Sequence, residues 1–110
     1  MNYQHSNLSP ERWASFSLYE QMANIGSEVE RTIKWQEKGN PGYSQLAFYR
    51  SLELLDLTLA DKKHAVHLQE ITRLRECLVD FFAGNNIYHS TALSWHKYFY
   101  PFNFAARTSP

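Results

Sequence analysis

The sequence predicts an all-α chain, arranged as a four-helix up-down bundle with a long first helix and a proline-interrupted, aromatic last helix. Three observations carry this. Apolar residues recur at spacings of three and four through most of the chain. Glycine and proline gather at Lys38-Gly39-Asn40-Pro41-Gly42 and glycine returns at Gly84, dividing that pattern into segments. No run alternates with period two over a strand's length, and Val, Ile and Thr are too sparse to argue for a sheet.

Residues 1–8 are polar and without period, and are expected to be a loose tail. Ser9-Pro10-Glu11 then reads as a helix start: Ser9 caps, Pro10 takes the first helical position where its missing N–H costs nothing, and Glu11 sits near the positive end of the dipole. One long helix should follow, with Leu18, Met22, Ile25, Val29 and Ile33 as its buried stripe and Glu20, Glu28, Arg31, Lys34 and Lys38 mostly away from it. Glu30 and Lys34 are spaced to pair on its surface. Gly26 interrupts the pattern, and the expected reason is close approach of another helix.

Gly39 suits the residue just past a helix end, Pro41 cannot continue that helix, and the short loop implies an antiparallel hairpin. The second helix, from about Tyr43 to Ala60, contains the stretch around which the chain is organised. Ten of the fifteen residues from Leu46 to Ala60 are Leu, Ala, Phe or Tyr, so at least two other elements must cover it. Arg50, Glu53 and Asp56 form its polar edge, and Arg50 and Glu53 are spaced to pair. Asp61 is the expected cap of the third helix, although Lys62 and Lys63 oppose the dipole there and allow a start a few residues later; Leu68, Ile71, Leu74 or Arg75, Leu78 and Phe81 or Phe82 keep the helical period as far as Gly84. Ser90 is the expected cap of the fourth, where Trp95, Tyr98 or Phe99, Phe102 and Ala105 or Ala106 follow the helical period and Pro101 interrupts it, forcing a kink or a stop near Tyr100. A single domain over residues 9–107 and a second tail at 108–110 follow.

Composition bounds the function. With eleven acidic and eleven basic side chains the formal charge is zero, leaving no global field to gather nucleic acid or an anionic membrane. The balance is local: residues 81–110 contain no acid but have Lys97 and Arg107. One cysteine, Cys77, excludes an internal disulfide framework, and the opening MNYQHSNLSPER has no signal-peptide pattern, so a cytoplasmic protein is expected. No apolar run spans a bilayer.

The most unusual feature is the aromatic segment containing Tyr88, Trp95, Tyr98, Phe99, Tyr100, Phe102 and Phe104, with His89, His96, Lys97 and Arg107 interleaved. One helix face cannot bury seven rings. The surplus should meet Trp13, Phe16 and Trp35 or a second subunit, or else serve as a nucleic-acid site where rings stack on bases and cations meet phosphates. The expected interaction surface is therefore Tyr88, His89, Trp95, His96, Lys97, Tyr98, Phe99, Phe102 and Arg107. His64, His67 and Glu70 are weak metal candidates, because their spacing shares one helix face but supplies at most three ligands. Cys77 reads as a small core residue, since no His or Asn stands at a spacing that marks a catalytic partner.

Tyr43 to Asp56, YSQLAFYRSLELLD, resembles the second helix of a tetratricopeptide repeat, with Ser51-Leu52-Glu53-Leu54 echoing its ending, but no second copy follows. The architecture and length resemble the small helical-bundle proteins of the HEPN superfamily, which occur in bacterial and archaeal toxin and nucleotidyltransferase-partner systems. Active members cleave RNA with an Arg followed about five residues later by a His; no Arg here precedes a His at that spacing, and fold likeness alone carries no activity. Leu18 to Trp35, LYEQMANIGSEVERTIKW, also resembles short bacterial all-helical proteins. The expectation is a non-enzymatic helical interaction or accessory subunit that forms a homodimer and needs no cofactor. The alternative is an HEPN-like RNA or nucleotide binder using the basic aromatic segment.

Overall fold

The computed structural model describes residues 8–108; of the expected tails at 1–8 and 108–110, residues 1–7 and 109–110 lie outside the described residues, whereas Leu8 packs against the core and Thr108 is helical, so neither belongs to a tail. The described residues are all-helical. They form α1 (Pro10–Ala14), α2 (Leu18–Glu37), α3 (Pro41–Leu59), a 3-10 turn (Lys62–His67), α4 (Leu68–Ala83) and α5 (Ala92–Thr108). Among them no helix is long and apolar enough to cross a membrane.

The expected long first helix is two helices. Ser17 accepts a hydrogen bond from the Glu20 N–H at 3.2 Å while the Glu20 carboxylate accepts from the Ser17 N–H at 3.2 Å, a reciprocal cap that starts α2 afresh. The break lets α1 swing across the base of α3, where Trp13 is buried and its indole N–H donates to Thr58 Oγ1 at 3.0 Å. Gly39, at φ 74°, ends α2 in the left-handed region, and the Asn40 side chain accepts from the Tyr43 N–H at 3.0 Å, so α3 begins at Pro41. Trp35 stacks edge-on against Tyr43 with ring centres 4.8 Å apart, closing the α2–α3 corner.

α3 is covered as its composition requires, by α2, α4, α1 and the 3-10 turn. Its buried side includes not only Ala47, Phe48, Leu54 and Leu55 but also Ser44, Ser51 and Thr58, seven residues apart and so on one line of the cylinder. Small hydroxyls there satisfy themselves on backbone carbonyls while admitting neighbours closely: Ser44 donates to Thr32 O at 2.9 Å, Ser51 to Phe48 O at 2.6 Å and Thr58 to Leu54 O at 2.9 Å. Leu46, part of the expected apolar girdle, faces solvent.

Asp61 caps the 3-10 turn rather than an α-helix, and α4 starts only at Leu68. Leu68 is consequently exposed, while Ile71, Leu74 and Leu78 are buried as their spacing predicts. After α4 the chain is folded back by Asp80, whose carboxylate accepts from the Ile87 and Tyr88 N–H groups at 2.9 and 3.1 Å. Thr91, not Ser90, starts α5: its hydroxyl accepts from the Ser94 N–H at 3.0 Å and the Ser94 hydroxyl accepts from the Thr91 N–H at 2.9 Å. α5 continues through Pro101 to Thr108. Pro101 lies on the exposed side of the helix, as does Lys97, whose carbonyl loses its helical donor to the proline.

α2 holds both neighbours, α3 on one side and α5 on the other. Met22, Ile25, Val29 and Ile33 are buried as expected, and the described core also takes Leu8 from the chain's start. Glu28 corrects the surface expectation: it is buried, with Arg31 at 2.7 Å and Arg50 of α3 at 3.8 Å. Arg50 thus pairs across helices, as does Asp56 with Arg75 of α4 at 2.8 Å. Gly26 is where α5 comes closest; a Cβ built there would stand 2.8 Å from the Phe99 ring. Since Phe99 is itself buried and cannot retreat, Gly26→Val is expected to destabilise the fold by about 1–3 kcal/mol through overpacking, read as a lower midpoint in urea denaturation. Exposed Ser27→Val is the control and should move the midpoint far less.

Candidate functional site

The nine residues of the expected interaction surface do not form one surface. Trp95 and Phe99 are 5% and 1% exposed and belong to the core, so neither can stack on a ligand. Phe102 is half-buried and meets Tyr19 of α2 at 6.4 Å between ring centres; Trp95 meets Phe81 of α4 at 6.3 Å. These partners replace the expected Trp13, Phe16 and Trp35, because the break at Ser15–Ser17 carries Trp13 and Phe16 to one another, with ring centres 5.7 Å apart. Tyr98 is half-buried between α4 and α5; burial first, then the nearby Glu70 and Cys77, push its phenol up to about 12, so it remains protonated.

The polar members are also dispersed. His96 Nδ1 is hydrogen-bonded to Glu30 of α2, which therefore turns to α5 instead of serving the expected pair with Lys34. Tyr88 lies under the Arg73 guanidinium, 5.4 Å from its ring centre, and His89 is in the loop before α5 with φ 56°. Lys97 and Arg107 remain exposed on α5.

What α5 does present outward is a different set. Leu93, Tyr100 and Phe104 are 59%, 68% and 58% exposed and fall on one stripe of the helix, opposite Trp95 and Phe99. Lys97 completes the stripe and Arg107 lies at its end. Leu93 was missed in the sequence because its stripe and that of Trp95 and Phe99 are both apolar, and periodicity does not say which of two apolar faces is inside.

His64, His67 and Glu70 are not brought together. The 3-10 turn directs His64 inward, while His67 Nδ1 stands 3.9 Å from Glu70 Oε2 on the surface; no group of three or more metal-ligating side chains gathers among the described residues. His64 belongs instead to a buried polar knot. Its Nε2 lies 2.9 Å from Gln21 Oε1 and 3.6 Å from Asp61 Oδ2. The Gln21 amide donates to Trp13 O at 2.8 Å, and Lys63 Nζ reaches Asp61 Oδ2 at 3.1 Å, Phe16 O at 3.0 Å and also Ala14 O. These groups pin the α1–α2 turn to the end of α3. Periodicity could not reveal them, since Gln21 and Asp61 are forty residues apart.

Two of the open depressions among the described residues border candidates named above, Glu70 and Arg107. One of about 870 Å³ runs along the outer edge of α4 beside Val66, Leu68, Glu70, Arg73 and Glu76. The other, about 440 Å³, lies between α2 and α5 beside Glu20, Asn24, Asn103 and Arg107. Neither places a nucleophile against a base. The chain matches no family model, no curated protein and no solved structure.

Burial holds His64 below its ordinary value near 6.5; Asp61 opposes this, while Lys63 and His67 add to it. The folded state therefore carries fewer protons than the unfolded one, and the contribution of neutral His64 is complete above about pH 6.5 and is lost as the pH falls below that value. Thermal unfolding should show a decline in midpoint beginning there, and His64→Gln should flatten that segment of the profile. Burial of Asp61 raises its pKa, but hydrogen bonds from Lys63 and Gln21 outweigh it and lower the net value, so a second decline is expected below pH 3.8.

Proposed function

We propose that this chain is a non-enzymatic helical accessory subunit, built on an up-down arrangement of its four long helices, that self-associates through the outer face of α5 and acts in the cytoplasm. The observation that carries the reading is the exposure of Leu93, Tyr100 and Phe104 on a helix whose other side already anchors the core. Three large apolar side chains in line on water are a cost to a lone monomer and a gain at an interface, at roughly 25 cal/mol per Å² of apolar surface covered. The lone thiol, half-buried at Cys77, fits a reducing compartment.

A second reading, binding of single-stranded RNA or a nucleotide, is favoured by Lys97 and Arg107 on the same face as Tyr100. It would use Tyr100 and Phe104 as stacking platforms in place of the buried Trp95.

Sedimentation velocity over a concentration series is the test. The wild-type chain should shift from monomer to dimer as concentration rises. Leu93→Ser combined with Tyr100→Ser should weaken the dimer at least about tenfold, with unchanged helical circular dichroism because both positions are exposed. A chain that stays monomeric throughout, yet binds a labelled RNA oligomer with an affinity that falls steeply as salt rises, would replace this reading with the second.

A further inference from the structure

Leu93, Lys97, Tyr100 and Phe104 are separated by four, three and four residues. Alternating spacings of four and three, averaging three and a half, are those of a coiled-coil seam. This seam reads the same in both directions. A two-fold axis crossing α5 midway between positions 98 and 99 sets Leu93 opposite Phe104 and Lys97 opposite Tyr100; the next seam position, Arg107, falls opposite Ser90.

Charge decides the direction. In a parallel pair each side chain faces its own counterpart, so Lys97 meets Lys97 inside an apolar seam. Residues 81–110 offer no acid to relieve that contact, and Glu30 is occupied by His96. In an antiparallel pair each ammonium lies over a tyrosine ring, an arrangement the ring's quadrupole favours, and the two Arg107 side chains are carried to opposite ends.

Resting on the self-association proposed above, we infer that the partner is a second copy docked with α5 antiparallel to α5, Lys97 of each chain over Tyr100 of the other and Leu93 against Phe104. Four seam side chains per copy are far fewer than the roughly 20–30 residues a side of a standard stable interface, which places this pairing in the weak, transient class. The dimer should therefore form and dissociate with concentration.

Disulfide trapping tests the register in a Cys77→Ser background, with helicity checked by circular dichroism. Mixed chains carrying Leu93→Cys and Phe104→Cys should cross-link to each other under mild oxidation. Leu93→Cys alone should not, because in this register the two copies of position 93 stand about 16 Å apart along the helices, beyond the reach of a disulfide. Lys97→Glu should weaken the dimer roughly 5- to 30-fold by placing a carboxylate on the ring face. Cross-linking of Leu93→Cys to itself, or a dimer indifferent to Lys97→Glu, would overturn the antiparallel register while leaving self-association intact. A monomer at every concentration would overturn both.

Discussion

Gly26 lets the Phe99 ring lie against the backbone of α2, and the position of α5 depends on that contact. A side chain at 26 would push α5 outward and open the core to which Trp95 and Phe99 belong together with Ile25 and Val29. Helices separated by side chains on both surfaces stand 8–10 Å apart; removing one side chain allows the closer approach that a large ring needs. Because α2 also carries α3, the same contact ties the last helix to the centre of the fold. The hydroxyl row of Ser44, Ser51 and Thr58 serves the opposite side of this assembly by a related device, in which small residues satisfy their own polar atoms and leave room for a neighbour.

The base of the molecule is organised by hydrogen bonds instead of rings. Gln21, Asp61, His64 and Lys63 join the α1–α2 turn to the end of α3, with Trp13 inserted between and bonded to Thr58. A buried polar group is expensive unless its partners are supplied, so these residues depend on one another. That interdependence explains why a sequence suggesting a surface metal site produces a structural knot. His64 is worth most to the fold as a neutral donor to Gln21, a state incompatible with free titration at the surface.

With Trp95 and Phe99 committed to the core, Leu93, Tyr100 and Phe104 inherit whatever recognition α5 performs. Their stripe has cations and no carboxylate along it. The self-association proposed above would therefore ask of a partner apolar area together with a group that tolerates positive charge, and an aromatic ring supplies both. This chain carries such a ring on the same stripe.

Periodicity and punctuation were enough to read the helical class, the hairpin turn at Gly39–Pro41, the buried stripe of Met22, Ile25, Val29 and Ile33, and the reason for Gly26. All of these depend on residues near one another in sequence, whose spacing is fixed by helix geometry. The break at Ser17 was also locally written, in the Ser17–Glu20 capping pair, but it was hidden by an apolar period that runs on without interruption. The inward turn of His64, the burial of Glu28 beside Arg50 and the choice of Trp95 over Leu93 as the buried side of α5 were decided only by the tertiary structure. In each case the sequence neighbours do not choose the side that is buried, and the selecting partner comes from a distant segment: Gln21 for His64, α3 for Glu28, and Gly26 for the face of α5.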